Sequence, residues 1–280
     1  MNRIGIICDL SFTRHYSFIT YYFTVRNLYG EPKLIKSIED LDIDTLFMGD
    51  DHWELHRDVW EKPGFIEECN KKNIKVIVFT NERMLNSFFP WNEDIYKNLK
   101  RFNNLYHFAC DADDMQLTGL PVNRMALSRS LYNENWRKKE KLNQIVFSGH
   151  TDCVIGSYDK RKELIGAAKR TLGLKVLEPV KRWEDYMEEL SKYRFVFCPL
   201  GNGNFLTLKF YEALMVGSIP VHQVRDNTLD YYPVERELDD CIFFKDLKEL
   251  EIKLLMFNLE SSHNLIFHED IISEQLKDIL

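Results

Sequence analysis

Residues 193–222 read YRFVFCPLGNGNFLTLKFYEALMVGSIPVH and combine a strand pattern, a glycine-containing loop, a helix pattern and a second strand pattern. Residues 194–198 are rich in aromatic and β-branched side chains and are followed by a proline, which is typical of a strand buried in a parallel sheet. Apolar residues then recur at helical spacing from Thr207, and Gly217 is placed to end the helix. The run therefore predicts a strand–loop–helix–strand unit of an α/β fold.

A short loop joins the first predicted strand to the helix. It consists of Gly201, Asn202, Gly203 and Asn204. Small residues let backbone N–H groups approach a ligand, and the start of a helix attracts anions. Lys209 adds a positive charge, and Glu212 offers two acceptors that suit the neighbouring hydroxyls of a ribose. We therefore expect a nucleotide diphosphate here, although the glycines could merely form a turn and Lys209 and Glu212 a solvated pair on the helix.

The same run resembles the donor-binding segment of the exostosin-like glycosyltransferases, which have the two-domain GT-B fold. The shared pattern is a strand, a proline, a glycine-rich loop, basic-x-x-acid-Ala-Leu, a glycine and Ile-Pro-Val. The resemblance implies that Glu212 binds the nucleotide ribose and that Lys209 binds phosphate. The family usually has arginine at the position of Lys209, and a lysine is a point charge rather than a two-pronged donor. His222 stands where the family usually has an aliphatic residue.

The resemblance also implies an architecture, an α/β GT-B fold with two Rossmann-like βαβ domains facing each other across a cleft. Strand and helix patterns alternate on both sides of a polar segment, residues 132–142, which is typical of α/β layers joined by a linker. One of the predicted strands covers residues 122–127. We expect an N-terminal acceptor-binding domain (1–138), a donor-binding domain (139–262) and a terminal helix (263–280) that crosses back to the first domain.

Further donor-site residues follow other predicted strands. Ser148 and Gly149 end the first strand of the second half, an end at which open parallel sheets bind ligands. The resemblance implies that Arg161 binds the diphosphate, although either neighbouring lysine could serve instead. It also matches the segment with Pro179 and Trp183 to a loop that recognises uracil, while an ordinary core contact is the alternative for the indole.

Inverting sugar transfer needs a general base, which takes the proton of the acceptor hydroxyl as its oxygen attacks the anomeric carbon. Carboxylates or histidines at the ends of the first strands are the candidates. They are Asp51, Asp9, His15 and His52, with the two aspartates preferred. Each of these aspartates could instead cap the helix that follows its strand.

Three other interpretations compete with this one. Asp111 and Asp113 form an Asp-x-Asp pattern that resembles the metal-binding motif of metal-dependent GT-A glycosyltransferases, and carboxylate oxygens suit such a cation. A helix cap explains the pattern equally well. A dinucleotide-dependent oxidoreductase would need glycines after the first strand, where the sequence has none. A non-catalytic nucleotide-sugar-binding protein is the third alternative.

Composition sets further limits. The chain has 44 acidic and 37 basic residues and a net charge of −7, which excludes a general attraction to nucleic acid or anionic lipid. The six cysteines are scattered without a C-x-x-C pair, so we expect a reducing compartment and no zinc site. Signal-peptide and membrane-length apolar runs are lacking, which predicts a soluble cytoplasmic protein without membrane insertion.

Together these expectations describe an inverting, metal-independent glycosyltransferase without a cofactor. Its partners would be a UDP-sugar donor and a glycan acceptor with a free hydroxyl. The chain also looks similar to the sugar transferases that large algal viruses encode for their glycans, among which is a xylosyltransferase. This resemblance favours xylose as the sugar and leaves the acceptor, linkage and oligomeric state open.

Overall fold

The structure is a computed structural model that describes residues 3–8, 16–49, 57–81, 83–85, 90–149, 158–201, 203–257 and 265–280. The chain divides into two compact units. The first contains Met1–Arg124, Ser128–Ser130 and His268–Leu280, and the second contains Met125–Leu127 and Leu131–Phe267.

The first unit is built on a parallel sheet of five strands in the order β2-β1-β3-β4-β5. The strands are β1 (Ile4–Ile7), β2 (Lys33–Leu34), β3 (Thr45–Gly49), β4 (Lys75–Thr80) and β5 (Leu105–Ala109). The helices that accompany them are α1 (Tyr16–Tyr29), α2 (Arg57–Trp60), α3 (Phe65–Lys71), α4 (Pro90–Leu99) and α5 (Ala112–Thr118).

Strand β3 shows why the central strands are continuously apolar. All five of its residues are buried, and successive side chains point to opposite faces of the sheet. Leu46 packs with Trp60 of α2 on one face, while Phe47 packs with Tyr21 of α1 on the other. Helices cover both faces, so neither face carries the polar residues of a solvated sheet.

The second unit repeats this plan with five parallel strands in the order β10-β9-β8-β6-β7. The strands are β6 (Leu142–Phe147), β7 (Lys175–Val176), β8 (Tyr193–Cys198), β9 (Ile219–Gln223) and β10 (Ile242–Phe244). The helices are α6 (Tyr158–Leu172), α7 (Trp183–Leu190), α8 (Leu208–Met215), α9 (Pro233–Arg236) and α10 (Leu247–Met256). Numbered within each unit, both sheets have the strand order 2-1-3-4-5, a doubly wound topology.

The last helix, α11 (His268–Leu276), belongs to the first unit, where it packs against α1. The ring nitrogen Nδ1 of His268 lies 2.8 Å from the hydroxyl of Thr24. Glu269 is buried and accepts a hydrogen bond of 2.8 Å from the side-chain amide of Asn27. Buried polar contacts therefore fix this helix in place.

Two expectations from the sequence are wrong. Residues 122–127 form no strand, because β5 pairs with this segment only through the bridge between Ala109 and Val122. The polar segment 132–142 is not a free linker, because Trp136 is buried and the ring of Tyr132 lies 5.6 Å from that of Phe267. A division after residue 138 therefore falls inside the second unit.

The α/β class is confirmed, with two five-stranded parallel sheets flanked by helices, an arrangement compatible with two Rossmann-like domains. Within the described part of the chain, every helix is too short or too polar to span a bilayer.

Candidate functional site

The carboxyl ends of β6 and β8 lie side by side, because these strands are parallel neighbours in the sheet. Ser148 and Gly149 follow β6, while Pro199, Leu200 and Gly201 follow β8. These two strands are the first and third of their unit, and the strand order reverses between them. Open α/β sheets bind ligands at such a switch point.

Lys209, in the first turn of α8, lies against Gly149. A Cβ atom placed on Gly149 would be 3.1 Å from Cε of Lys209 and 3.2 Å from the ring of Phe147. The φ angle of Gly149 is +144°, a conformation that other residues rarely adopt. Glycine therefore meets two requirements here, the backbone conformation and the space for the lysine side chain.

Arg161, on α6, contacts the loop that follows β8. Its Nε donates a hydrogen bond of 3.1 Å to the carbonyl oxygen of Leu200. A Cβ atom on Gly201 would lie 3.0 Å from Nη2 of the same guanidinium. Gly201 does not have a positive φ, so space for the arginine, not a sharp turn, explains the glycine at this position.

A cavity of about 190 Å³ lies between these groups. It is lined by Phe147, Arg161, Pro199, Thr207, Leu208 and Lys209. The lining residues include two cations and no carboxylate, which favours an anion. The volume is below the usual range for a complete small-molecule site, so the cavity suits the phosphate portion of a larger ligand.

Glu212 lies one turn further along α8 and is only 4% exposed. Its Oε2 accepts a hydrogen bond of 2.6 Å from the hydroxyl of Tyr186 on α7. Burial raises the pKa of Glu212, while the charge of Lys209 and the Tyr186 hydrogen bond oppose this rise. The interpretation of Lys209 and Glu212 as a solvated surface pair is therefore wrong for Glu212.

Thr207 is a site residue that the sequence reasoning missed. It occupies the N-cap of α8, but its side chain makes no capping hydrogen bond. Its buried Oγ1 has no hydrogen-bond partner among the described residues. The backbone N–H of Thr207 instead donates to Nε2 of His222, at 3.0 Å. A hydroxyl residue at the predicted helix start, beside the glycine loop, was the available signal.

His222, the residue that departs from the family pattern, is fully buried on β9. Burial lowers its pKa to about 3, so the ring is neutral at physiological pH. A neutral ring can accept the N–H of Thr207 through Nε2 only when its proton is on Nδ1. His222 thus satisfies the backbone N–H of the N-cap residue, and the Thr207 hydroxyl has no hydrogen-bond partner among the described residues.

The remaining loop residues differ in their surroundings. Asn204 is fully buried and its amide donates to Oδ1 of Asn227 at 2.7 Å. It also accepts a hydrogen bond from the hydroxyl of Thr228. These contacts anchor the loop from inside the unit and occupy the side chain that we expected to bind the donor. Gly203 is buried as well, and Asn202 lies outside the described residues.

The two residues matched to uracil recognition differ in their exposure to solvent. Pro179 is exposed, whereas Trp183 is 7% exposed. The indole ring of Trp183 lies 5.8 Å from the ring of Tyr186. Burial of this indole favours the alternative of a core contact over stacking on a base.

All four candidates for the general base lie outside the described residues. They are Asp9, His15, Asp51 and His52. The described strands β1 and β3 end at Ile7 and Gly49, shortly before the two aspartates in the sequence. Their role in catalysis stays a prediction.

The Asp-x-Asp segment caps helix α5. Asp111 is its N-cap and accepts hydrogen bonds from the backbone N–H groups of Asp113 and Asp114 at 3.0 and 3.2 Å. Asp113 forms an ion pair of 3.0 Å with Arg83. Burial raises the pKa of Asp114 to about 6 although it accepts hydrogen bonds from two backbone N–H groups. In the described ranges, no three His, Cys, Asp or Glu side chains group to hold a metal ion.

A larger cavity, of about 930 Å³, lies in the second unit beside β10 and α10. Its walls carry charges of both signs, including Arg236, Lys253, Asp239 and Glu249. None of the residues predicted to bind the donor lines it. We therefore place the candidate site at the smaller cavity, which lies at the switch point and is lined by Arg161 and Lys209.

A comparison of the chain with models of known protein families finds no match, and a comparison with curated protein sequences finds no significant match either.

Proposed function

We propose that the protein is a glycosyltransferase of the GT-B class that moves a sugar from a UDP-sugar to a hydroxyl of a glycan acceptor. One observation carries the proposal. At the switch point of the second sheet, Lys209 and Arg161 flank a small cavity, each packed against a glycine, and the buried carboxylate of Glu212 lies one turn away. A nucleoside diphosphate carries the matching groups, two phosphates and a ribose diol.

Each of these groups has a distinct task in the proposal. Lys209 and Arg161 bind the diphosphate and stabilise the negative charge that grows on it as the sugar departs. The Thr207 hydroxyl donates a hydrogen bond to a phosphate oxygen, since its Oγ1 has no partner among the described residues. Glu212 accepts a hydrogen bond from the ribose. The cation pair takes the role that a metal ion has in GT-A enzymes.

In the proposed reaction, a carboxylate takes the proton of the acceptor hydroxyl, the acceptor oxygen forms a bond to the anomeric carbon, and UDP leaves with the bonding electron pair. One such displacement inverts the anomeric configuration. Asp51 and Asp9 are proposed as bases on their sequence positions alone. Xylose is proposed as the sugar on the resemblance described above.

A binding experiment tests the nucleotide site. UDP should raise the melting temperature of the protein with and without a chelator, and Lys209→Met should weaken UDP binding by about tenfold to a hundredfold, as expected for loss of a charged contact. Lys253→Met is the matched control, because Lys253 lines the larger cavity of the same unit. Weaker UDP binding in the control but not in Lys209→Met would move the site to the larger cavity.

A transfer assay separates the enzyme from its alternatives. With UDP-xylose and glycan acceptors, Asp51→Asn or Asp9→Asn should retain UDP binding and lose product formation. Binding of UDP that disappears with the chelator would favour the metal-dependent alternative with Asp111 and Asp113. UDP binding without transfer to any acceptor would favour a nucleotide-sugar-binding protein.

A further inference from the structure

Tyr186 lies near Glu212 and Lys209 of the candidate site. Its hydroxyl donates to Oε2 of Glu212 at 2.6 Å, and the ammonium group of Lys209 lies 5.8 Å from the centre of its ring. A cation at that distance from an aromatic ring is within the range of attraction. One side chain from α7 thus contacts the two residues of α8 on which the proposed donor site depends.

From this geometry we propose that Tyr186 is a positioning residue, which fixes the carboxylate of Glu212 so that its other oxygen accepts a hydroxyl of the nucleotide ribose. The inference rests on the proposed function and adds to it a determinant of ribose recognition that lies outside the glycine loop and α8.

The position of Tyr186 is set by the packing of α7. The apolar face of this helix buries Trp183, Met187 and Leu190. Tyr186 lies on the same side, one helical turn after Trp183, and the two rings are 5.8 Å apart. Unlike Trp183, Tyr186 retains an exposed fraction of intermediate size. The ring is therefore held by the core on one side while the hydroxyl reaches Glu212.

The burial of Glu212 makes its hydrogen bond with Tyr186 important. Among the described residues, the Tyr186 hydroxyl is the donor that the structure gives to this 4% exposed carboxylate. A hydrogen bond to a carboxylate is stronger than one between neutral groups, so this donor fixes the orientation of the side chain. Tyr186 occupies Oε2, and Oε1 is the oxygen proposed to accept the ribose hydroxyl. Without Tyr186, the carboxylate would lose its orientation as well as its one fixed hydrogen bond.

Titration calorimetry with UDP, 2′-deoxy-UDP and 3′-deoxy-UDP tests the role of Tyr186. The wild-type protein should bind UDP at least about tenfold more tightly than one of the two deoxy analogues, because a hydrogen bond to a charged group is lost. Tyr186→Phe should reduce this preference to about threefold or less, while its affinity for the deoxy analogue stays close to the wild-type value. A ratio of dissociation constants does not depend on the fraction of folded protein.

A double variant and a control variant show whether Tyr186 acts through Glu212. Tyr186→Phe/Glu212→Gln removes the unpaired buried carboxylate and should show the same preference as Glu212→Gln alone, because Tyr186 acts through Glu212. Tyr193→Phe is the matched control, since it removes a tyrosine hydroxyl that donates to Glu189 of α7 at 3.0 Å. Tyr193 begins β8, at the opposite end of the strand from the cavity, and its loss should leave the preference unchanged.

The outcomes distinguish the two levels of the proposal. If Glu212→Gln abolishes the preference for UDP but Tyr186→Phe retains it, the positioning role is wrong and the donor site stands. An equal loss of affinity for all three ligands in Tyr186→Phe also overturns the positioning role, since it indicates general damage. If the wild-type protein does not bind UDP, or if Glu212→Gln keeps the preference, the proposed function fails and the inference fails with it.

Discussion

The two sheets share the strand order 2-1-3-4-5 but differ in the chemistry of the described residues near their carboxyl ends. In the first unit, the hydroxyl of Tyr21 donates to Asn81 at 2.7 Å, and the amide of Asn123 donates to the carbonyl oxygen of Thr80 at 3.0 Å. These groups are neutral and hydrogen-bond one another. In the second unit, Lys209 and Arg161 flank a cavity. The topology thus supplies a position for a ligand, and the side chains decide whether that position attracts an anion.

Glycines at the strand ends show the same contrast. In the first unit, a Cβ atom on Gly49 would collide with the ring of Tyr21, so this glycine admits a core aromatic residue. In the second unit, Gly149 and Gly201 admit the side chains of Lys209 and Arg161. The absence of a Cβ atom at glycine thus makes room for a core aromatic ring in the first unit and for cationic side chains in the second.

The largest expected effect is on the stability of the first unit. Gly49→Ala should lower its free energy of unfolding by about 3 kcal/mol, because the added methyl group overpacks the buried Tyr21 ring. Hydrogen exchange of the β3 amides measures this loss. The control, Gly119→Ala, has a φ of +71° and open space around it, so it should cost only about 1 kcal/mol of backbone strain. Equal costs for the two variants would remove the packing argument.

The second effect is the acid sensitivity of the second unit. The folded pKa of His222, about 3, lies below its ordinary value of 6.5. Its stabilising contribution is therefore complete above pH 6.5 and is lost as the pH falls toward 3, at a cost of about 2 kcal/mol between pH 7 and pH 5. His222→Val should reduce the fall in unfolding free energy over this range by that amount, although the variant is less stable at pH 7.

Hydrogen exchange resolves this change by unit. The amides of β8 and β9 should show the flatter pH dependence, while the first unit, whose buried His107 and His268 are unchanged, provides an internal control. Burial lowers the pKa of these two residues as well, to about 4 and about 3. An unchanged pH dependence of β8 and β9 would show that His222 is already able to take up a proton in the folded state.

The third effect concerns binding. Gly149→Ala should weaken UDP binding by about tenfold, roughly 1.4 kcal/mol, because the new methyl group displaces the end of the Lys209 side chain. Gly173→Ala is the matched control in the same unit, with a positive φ of +65° and no neighbouring atom within 4 Å. Calorimetry should show wild-type affinity for this control. Similar losses in both variants would assign the effect to backbone strain.

The smallest effect addresses the acids of the first unit. Asp111→Ala should cost about 1 kcal/mol of stability through loss of the α5 cap. Added Mn²⁺ should not change the melting temperature of the wild-type protein beyond the change seen in the variant. A Mn²⁺ stabilisation that depends on Asp111 would restore the metal-dependent alternative and make the two units more alike than their side-chain contacts indicate.

Sequence patterns predicted the central part of the second unit well. The strand, helix and second strand expected in residues 193–222 correspond to β8, α8 and β9, because apolar periodicity and the positions of Pro199 and Gly217 are local signals. The predictions failed where residues that are distant in the sequence determine the local structure. Residues 122–127 have a strand-like composition but only one bridge to β5, and Trp136 anchors a segment whose charge suggested a linker.

The sequence by itself determined the α/β class and the presence of a basic residue, an acid and small residues around one predicted helix start, since these features depend on neighbours along the chain. Only the tertiary structure decided which of these groups meet. It buried Glu212 beside the hydroxyl of Tyr186, directed Asn204 into the interior, and placed His222 to accept the backbone N–H of Thr207. The physical reason is that burial and hydrogen bonding are set by residues from other strands and helices, whose approach no local pattern records.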